Sequence, residues 1–90
     1  MSAGRVAVVT GAGSGLGRLI TVALTASDWR VVAAGRRLPP LKETARLARP
    51  RAVFPATADV SDPGSVAALF ASVEDRYGRL DLLVNNAGTG

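Results

Sequence analysis

The run Thr10-Gly11-Ala12-Gly13-Ser14-Gly15-Leu16-Gly17 puts four glycines into eight residues, directly after an apolar β-type stretch, Val6-Ala7-Val8-Val9. A helical pattern begins at Leu16. A strand that turns through glycines into a helix leaves the first N–H groups of that helix unpaired, with about half a positive charge at its start. Such a turn is an anion site. Where Cβ atoms are missing, the backbone bends tightly and a diphosphate can approach it. Gly11, Ser14, Gly15, Leu16 and Gly17 are therefore candidate contacts for the pyrophosphate of a dinucleotide, Ser14 and Leu16 through their backbone N–H groups. Thr10 is expected to brace the loop rather than touch a ligand.

Other chemistry is excluded by composition. The 90 residues contain no histidine and no cysteine. Histidine general-base catalysis, Ser/His/Asp arrangements, thiolate metal sites and a disulfide framework are thus unavailable to this stretch of chain. No metal site is expected. Asp81 and Tyr77 read as structural, Tyr77 because it falls on the apolar stripe of a helix. No apolar run approaches the ~20 residues of a membrane span, and the short run after Met1 passes straight into glycines, unlike a leader peptide. No membrane partner is expected, and a cytoplasmic location is. The net charge is +4, ten of the eleven basic residues are arginine, and six basic residues lie between Arg36 and Arg51 against Glu43 alone. Only 4% of residues are aromatic and no basic recognition helix is evident, so this cluster reads as a solvated face and no nucleic-acid partner is expected.

The elements that must position the glycine turn alternate between strand and helix. Val6 to Thr10 is continuously apolar, as in a strand buried on both faces. Leu16, Ile20, Ala23 and Leu24 recur at helical spacing and predict the inner face of a first helix. Arg18, one turn in, reads as an exposed helical residue. Arg30 to Gly35 predicts a second buried strand. Pro39 or Pro40 suits the start of a second helix whose Leu41, Ala45 and Ala48 share a face, and Pro50 stops it. Ala52 to Thr57 predicts a third strand; Pro55 cannot donate to a ladder, so this strand belongs at a sheet edge. Asp62 reads as an N-cap with Pro63 at the first helical position. Val66, Leu69, Phe70, Val73 and Tyr77 form the inner stripe of that third helix, which Gly78 ends as a left-handed cap. Leu80 to Asn85 predicts a fourth strand, and Asn85 a brace within the sheet.

Four strands joined by three helices imply right-handed βαβ crossovers and a parallel sheet. With the third strand at the edge the order is 3-2-1-4, the N-terminal half of a doubly wound, Rossmann-type α/β fold, and residues 1–90 form one such domain. A ligand belongs beyond the carboxyl ends of strands one and four, where the order reverses.

At these positions the chain resembles the short-chain dehydrogenases/reductases. Thr10, Gly11, Gly15 and Gly17 match the family's T-G-x-x-x-G-x-G spacing, Asp59-Val60 its adenine-contacting pair, and Asn85-Asn86-Ala87-Gly88 its N-N-A-G signature. The resemblance runs from about Val6 to Gly88. It implies that Asp59 accepts from the adenine amino group, that the Val60 N–H meets a ring nitrogen, and that Asn86, Ala87 and Gly88 line the cofactor near its riboses. An acidic residue ending the second strand would favour NAD; here Gly35 is followed by Arg36 and Arg37, whose guanidinium groups suit a 2′-phosphate, so NADP is expected over NAD. Asp28 stands where the family usually has a helix-capping glycine.

The family's chemistry uses a tyrosine, a lysine four residues on, and a serine. The one lysine, Lys42, precedes the one tyrosine, Tyr77. No catalytic residue is therefore expected in this chain, which alone should be inactive. The implied full-length form would transfer a hydride between NADP(H) and a carbonyl or alcohol substrate, and would be a homo-oligomer. A fourth strand without a neighbour on its outer side is expected to favour self-association. The alternative reading is a stand-alone nucleotide-sensing module without redox activity.

Overall fold

The computed structural model describes residues 4–86. Seven elements alternate: β1 (Val6–Thr10), α1 (Gly15–Ala26), β2 (Arg30–Gly35), α2 (Leu38–Leu47), β3 (Val53–Thr57), α3 (Pro63–Tyr77) and β4 (Leu82–Val84). All strand pairings are parallel, and the order is β3-β2-β1-β4. This is the expected Rossmann-type half-sheet.

The order follows from burial. Val6 to Val9 and Val31 to Ala34 are fully buried, so β1 and β2 take the interior of the sheet. Alternate residues feed two cores. Val6, Val8, Val32 and Ala34 pack with Leu69 and Val73 of α3 on one face. Ala7, Val9, Val31 and Ala33 pack with Leu41 of α2 on the other, where Ile20 and Leu24 of α1 join them. Each fully buried leucine or valine stabilises the fold by about 2 kcal/mol relative to exposure. Pro55 pairs opposite Ala33 on the outermost strand, where its missing N–H costs no interior ladder bond.

Chain reversals match local chemistry. The Asp62 carboxylate accepts from the Gly64 N–H at 3.1 Å, and Pro63 follows it at the start of α3. Gly78 ends α3 in the left-handed conformation, φ 70°. Asp28 adopts φ 67° at the turn after α1 and pairs with Arg49.

One expectation about a helix face needs correction. Leu16 is 61% exposed and Ala23 is also exposed, whereas Gly17, Thr21 and Thr25 are buried. The buried face of α1 is small at Gly17, where the helix start presses against the glycine turn, and hydroxylic at Thr21 and Thr25. Thr21 and Thr25 remain satisfied there by donating to the carbonyls of Gly17 and Val22 at 2.8 and 2.9 Å. In α2, Pro39 and Pro40 sit in the first turn as expected, one residue after the helix begins at Leu38, and Thr44 is buried beside Leu41. The fourth strand is shorter than expected. Asp81 precedes it, accepting from the Val6 N–H at 2.9 Å and, through both carboxylate oxygens, from Nε and Nη2 of Arg79. These contacts give Asp81 a structural task, and they hold its carboxyl below the usual aspartate range, Arg79 being the main cause and the Val6 N–H the next.

Candidate functional site

The glycine turn leaves β1 at the carboxyl edge of the sheet and is fixed there from three sides. The Ala12 N–H donates to the Ala34 carbonyl at 3.1 Å, tying the turn to β2. The Thr10 hydroxyl lies 3.1 Å from Asn85 Oδ1 and 2.9 Å from the Asn86 N–H, which donates to it. Asn86 Nδ2 reaches the Gly11 carbonyl at 3.4 Å. Thus Thr10 does brace the loop. Asn85 joins through its side-chain oxygen and the Thr10 hydroxyl, rather than through strand backbone. Asn86, expected at the ligand, donates its backbone N–H to Thr10 and one side-chain N–H to the Gly11 carbonyl; Ala87 and Gly88 lie outside the described residues.

Two glycines have distinct duties. Gly15 opens α1 with φ +53°, which most side chains resist, and an added Cβ there would meet no protein atom within 4 Å. At Gly17 a Cβ would overlap the Gly11 carbonyl oxygen and sit 2.9 Å from Asn86 Nδ2. Gly15 therefore permits the turn, while Gly17 permits helix and turn to touch.

The start of α1 is open. Ser14, at the N-cap, makes no side-chain cap bond, and the first turn carries no acidic residue. The N–H groups of Gly15, Leu16 and Gly17 precede the first intrahelical donor positions, as at any helix start. Neither other helix offers this. Two of the first three residues of α2 are prolines without N–H groups, and α3 is capped by its own Asp62.

On the far side of the turn, Gly35 ends β2 and packs on Leu41, so that a Cβ at position 35 would lie 3.2 Å from a Leu41 methyl. The next residues, Arg36 and Arg37, are exposed. Arg36 Nε stands 3.8 Å from Asp59 Oδ1, bringing two residues assigned to different ends of an adenosine into one ion pair across the ends of β2 and β3. The pair is solvent-exposed and screened by water and salt. Asp59 also accepts from the Ser61 hydroxyl and N–H at 2.6 and 3.0 Å. The Ser61 bonds, hydroxyl first, with Arg36 as a lesser cause, hold the Asp59 carboxyl below its ordinary range. Val60 is 39% exposed beside it.

Arg18 departs from expectation. It is part-buried, and its guanidinium donates to the Gly13 carbonyl at 2.6 Å, the Pro40 carbonyl at 3.1 Å and the Thr44 hydroxyl at 2.9 Å. Helical spacing alone could not reveal this, because the partners lie on a different helix and on backbone.

With this geometry in place, a family model described as short chain dehydrogenase matches residues 5–90. The chain belongs to that family. It is 44% identical over 87 residues to the 2-(R)-hydroxypropyl-CoM dehydrogenase of Xanthobacter autotrophicus, covering 93% of this chain and 35% of the relative. Among solved structures it superimposes on a metagenomic short-chain oxidoreductase in complex with NADP, with TM-score 0.90 and 37% identity, over 99% of this chain and 41% of that one. It also superimposes on the 3-ketoacyl-(acyl-carrier-protein) reductase of Brucella melitensis complexed with NADH, with TM-score 0.89 and 33% identity, over 97% and 35% of the two chains. The chain spans about a third of the length of the curated relatives it matches. Among the described residues no helix is long and apolar enough to cross a membrane, and no cluster of potential metal ligands occurs.

Proposed function

We propose that this chain is the NADP-binding segment of a short-chain oxidoreductase. The observation that carries this reading is the open start of α1, uncapped by Ser14 and free of acidic residues, at the bend that Gly15 allows. A diphosphate there would meet the N–H groups of the first helical turn and its positive dipole end. Gly11, Ser14, Gly15, Leu16 and Gly17 would form that contact. Asn86, Ala87 and Gly88 would line the cofactor near its riboses. Asp59 and Val60 would meet the adenine, and Arg36 and Arg37 the adenosine ribose.

The preference for NADP rests on charge. No carboxylate ends β2, where one would repel a 2′-phosphate. Two exposed guanidinium groups follow Gly35 instead, and a guanidinium binds a phosphate through short, charge-assisted pairs. Arg36 would exchange a solvent-screened carboxylate for a dianion.

The bound cofactor supplies hydride chemistry. In the full-length protein we place that hydride between the nicotinamide and a carbonyl or alcohol carbon, in a cytoplasmic, homo-oligomeric enzyme. This chain contributes grip and orientation, and by itself turns over no ketone. Calorimetric titration with NADP and NAD tests the reading. Arg36→Ala should weaken NADP about tenfold and NAD hardly at all; equal losses would refute the 2′-phosphate assignment. Deuteride transfer from labelled NADPH to a ketone by the 90-residue chain would refute its inactivity.

A further inference from the structure

Three successive carbonyls of the glycine turn are each engaged by a side chain. Gly11 O is met by Asn86 Nδ2 at 3.4 Å, Ala12 O by the Thr44 hydroxyl at 2.7 Å, and Gly13 O by an Arg18 Nη2 at 2.6 Å. The last two are coupled, because Arg18 Nε donates to the same Thr44 oxygen that donates to Ala12. Thr44 is fully buried, and Arg18 forms no ion pair with a carboxylate among the described residues. A part-buried guanidinium is thus committed to neutral acceptors, an arrangement that surface solvation does not require.

Peptide planarity gives this latch a consequence. In a trans peptide the C=O and the following N–H point in opposite directions, and no cis bond occurs among the described residues. With Ala12 O bonded to Thr44 of α2 and Gly13 O to the Arg18 guanidinium of α1, the N–H groups of Gly13 and Ser14 must point away from those partners. The oxygens that would repel an anion are turned inward, and the donors that would attract one are turned outward. We infer that Arg18 of α1 and Thr44 of α2 are a positioning pair that presets the Ala12–Gly13 and Gly13–Ser14 peptides for the cofactor diphosphate, from behind the turn rather than from the binding surface. The inference rests on the reading of the turn as a diphosphate site and goes beyond it. It also joins the turn to the first turn of α2, through Pro40 O, three residues after Arg37.

The experiment compares two probes on the whole chain. NADPH spans the diphosphate, whereas adenosine 2′-monophosphate has none. Arg18→Lys keeps the charge but loses the fork, and Thr44→Val keeps the shape but loses the hydroxyl. Each should weaken NADPH about tenfold while leaving adenosine 2′-monophosphate within twofold. Thr44→Ser, which retains the oxygen, should restore NADPH affinity. In 15N spectra without ligand, the Gly13 and Ser14 amides should shift in Arg18→Lys and Thr44→Val and return in Thr44→Ser. Unchanged NADPH affinity in the first two variants, parallel loss of both probes, or a serine variant no better than valine would each overturn the positioning role. An unsubstituted chain that binds adenosine 2′-monophosphate but not NADPH would overturn the diphosphate reading itself, and the role with it.

Discussion

The starts of α1 and α3 are built from similar materials and put to opposite uses. Each follows a strand at the same edge of the sheet, each has a cap-type residue, Ser14 or Asp62, and neither has an acid in its first turn. At α3 the Asp62 carboxylate turns back onto the Gly64 N–H, so the helix supplies its own anion. At α1 the Ser14 side chain makes no cap bond, and the loop carbonyls are drawn aside by Asn86, Thr44 and Arg18. A satisfied cap is worth ~1 kcal/mol to a helix. Forgoing it leaves donors that an external phosphate can fill. The difference shows how one architectural feature serves stability in one place and recognition in another.

The largest expected effect breaks the packing on which the open start depends. Gly17→Ala drives a methyl into the Gly11 carbonyl and toward Asn86 Nδ2, where backbone cannot yield. It should cost ~2 kcal/mol or more in a urea titration and abolish NADP binding. The matching change at the closed start, Gly64→Ala, meets only Asp62 Oδ1 at 3.6 Å and should be neutral or stabilising by up to ~1 kcal/mol. Gly15→Ala comes next. The left-handed backbone there makes alanine cost ~1 kcal/mol, and NADP and NAD should both weaken about tenfold or more, because the new methyl enters the space assigned to the diphosphate. Retained affinity would show that the ligand does not pass over Gly15.

Caps sharpen the contrast more finely. Asp62→Ala should lose ~1 kcal/mol of stability and leave NADP affinity unchanged. Ser14→Ala removes no cap bond and should stay within ~0.5 kcal/mol of the parent. A loss of ~1 kcal/mol at Ser14 would mean that α1 is closed in solution. Acid produces the smallest effect. Asp59, before α3, has a folded pKa held below its unfolded value by the Ser61 bonds. Its contribution is therefore present above the unfolded aspartate value and is lost as pH falls through the folded one. Amide shifts at Ser61 should move in that window, below about pH 4, while those at Gly13 to Gly17, which are engaged by no carboxylate among the described residues, stay still.

The strand and helix order was legible because the signals were local and strong. Pro55 placed β3 at the edge, Asp62-Pro63 marked the start of α3, and Gly78 marked its end. The face of α1 was misread for a physical reason. Counting apolar residues put Leu16 and Ala23 inside, but close approach to the glycine turn selects small side chains, and threonines can be buried when the helix's own carbonyls accept their hydroxyls. The glycine turn itself was legible, and so was the bracing by Thr10. The Arg36–Asp59 pair and the Arg18–Thr44 latch were not, since each joins residues more than twenty positions apart on separate elements. No periodicity reports such contacts. The latch is visible only once α2 is seen to lie beside the start of α1.

The most direct measurement is a 15N–1H titration of the chain with NADP that follows both helix starts together. Saturable shifts are expected at the amides of Gly13 to Gly17, largest at Gly15 and Leu16, with Gly64 to Val66 unmoved. Shifts of equal size at the two starts, or an α1 start that stays still while NADP binds elsewhere, would rule out the open start of α1 as the diphosphate site.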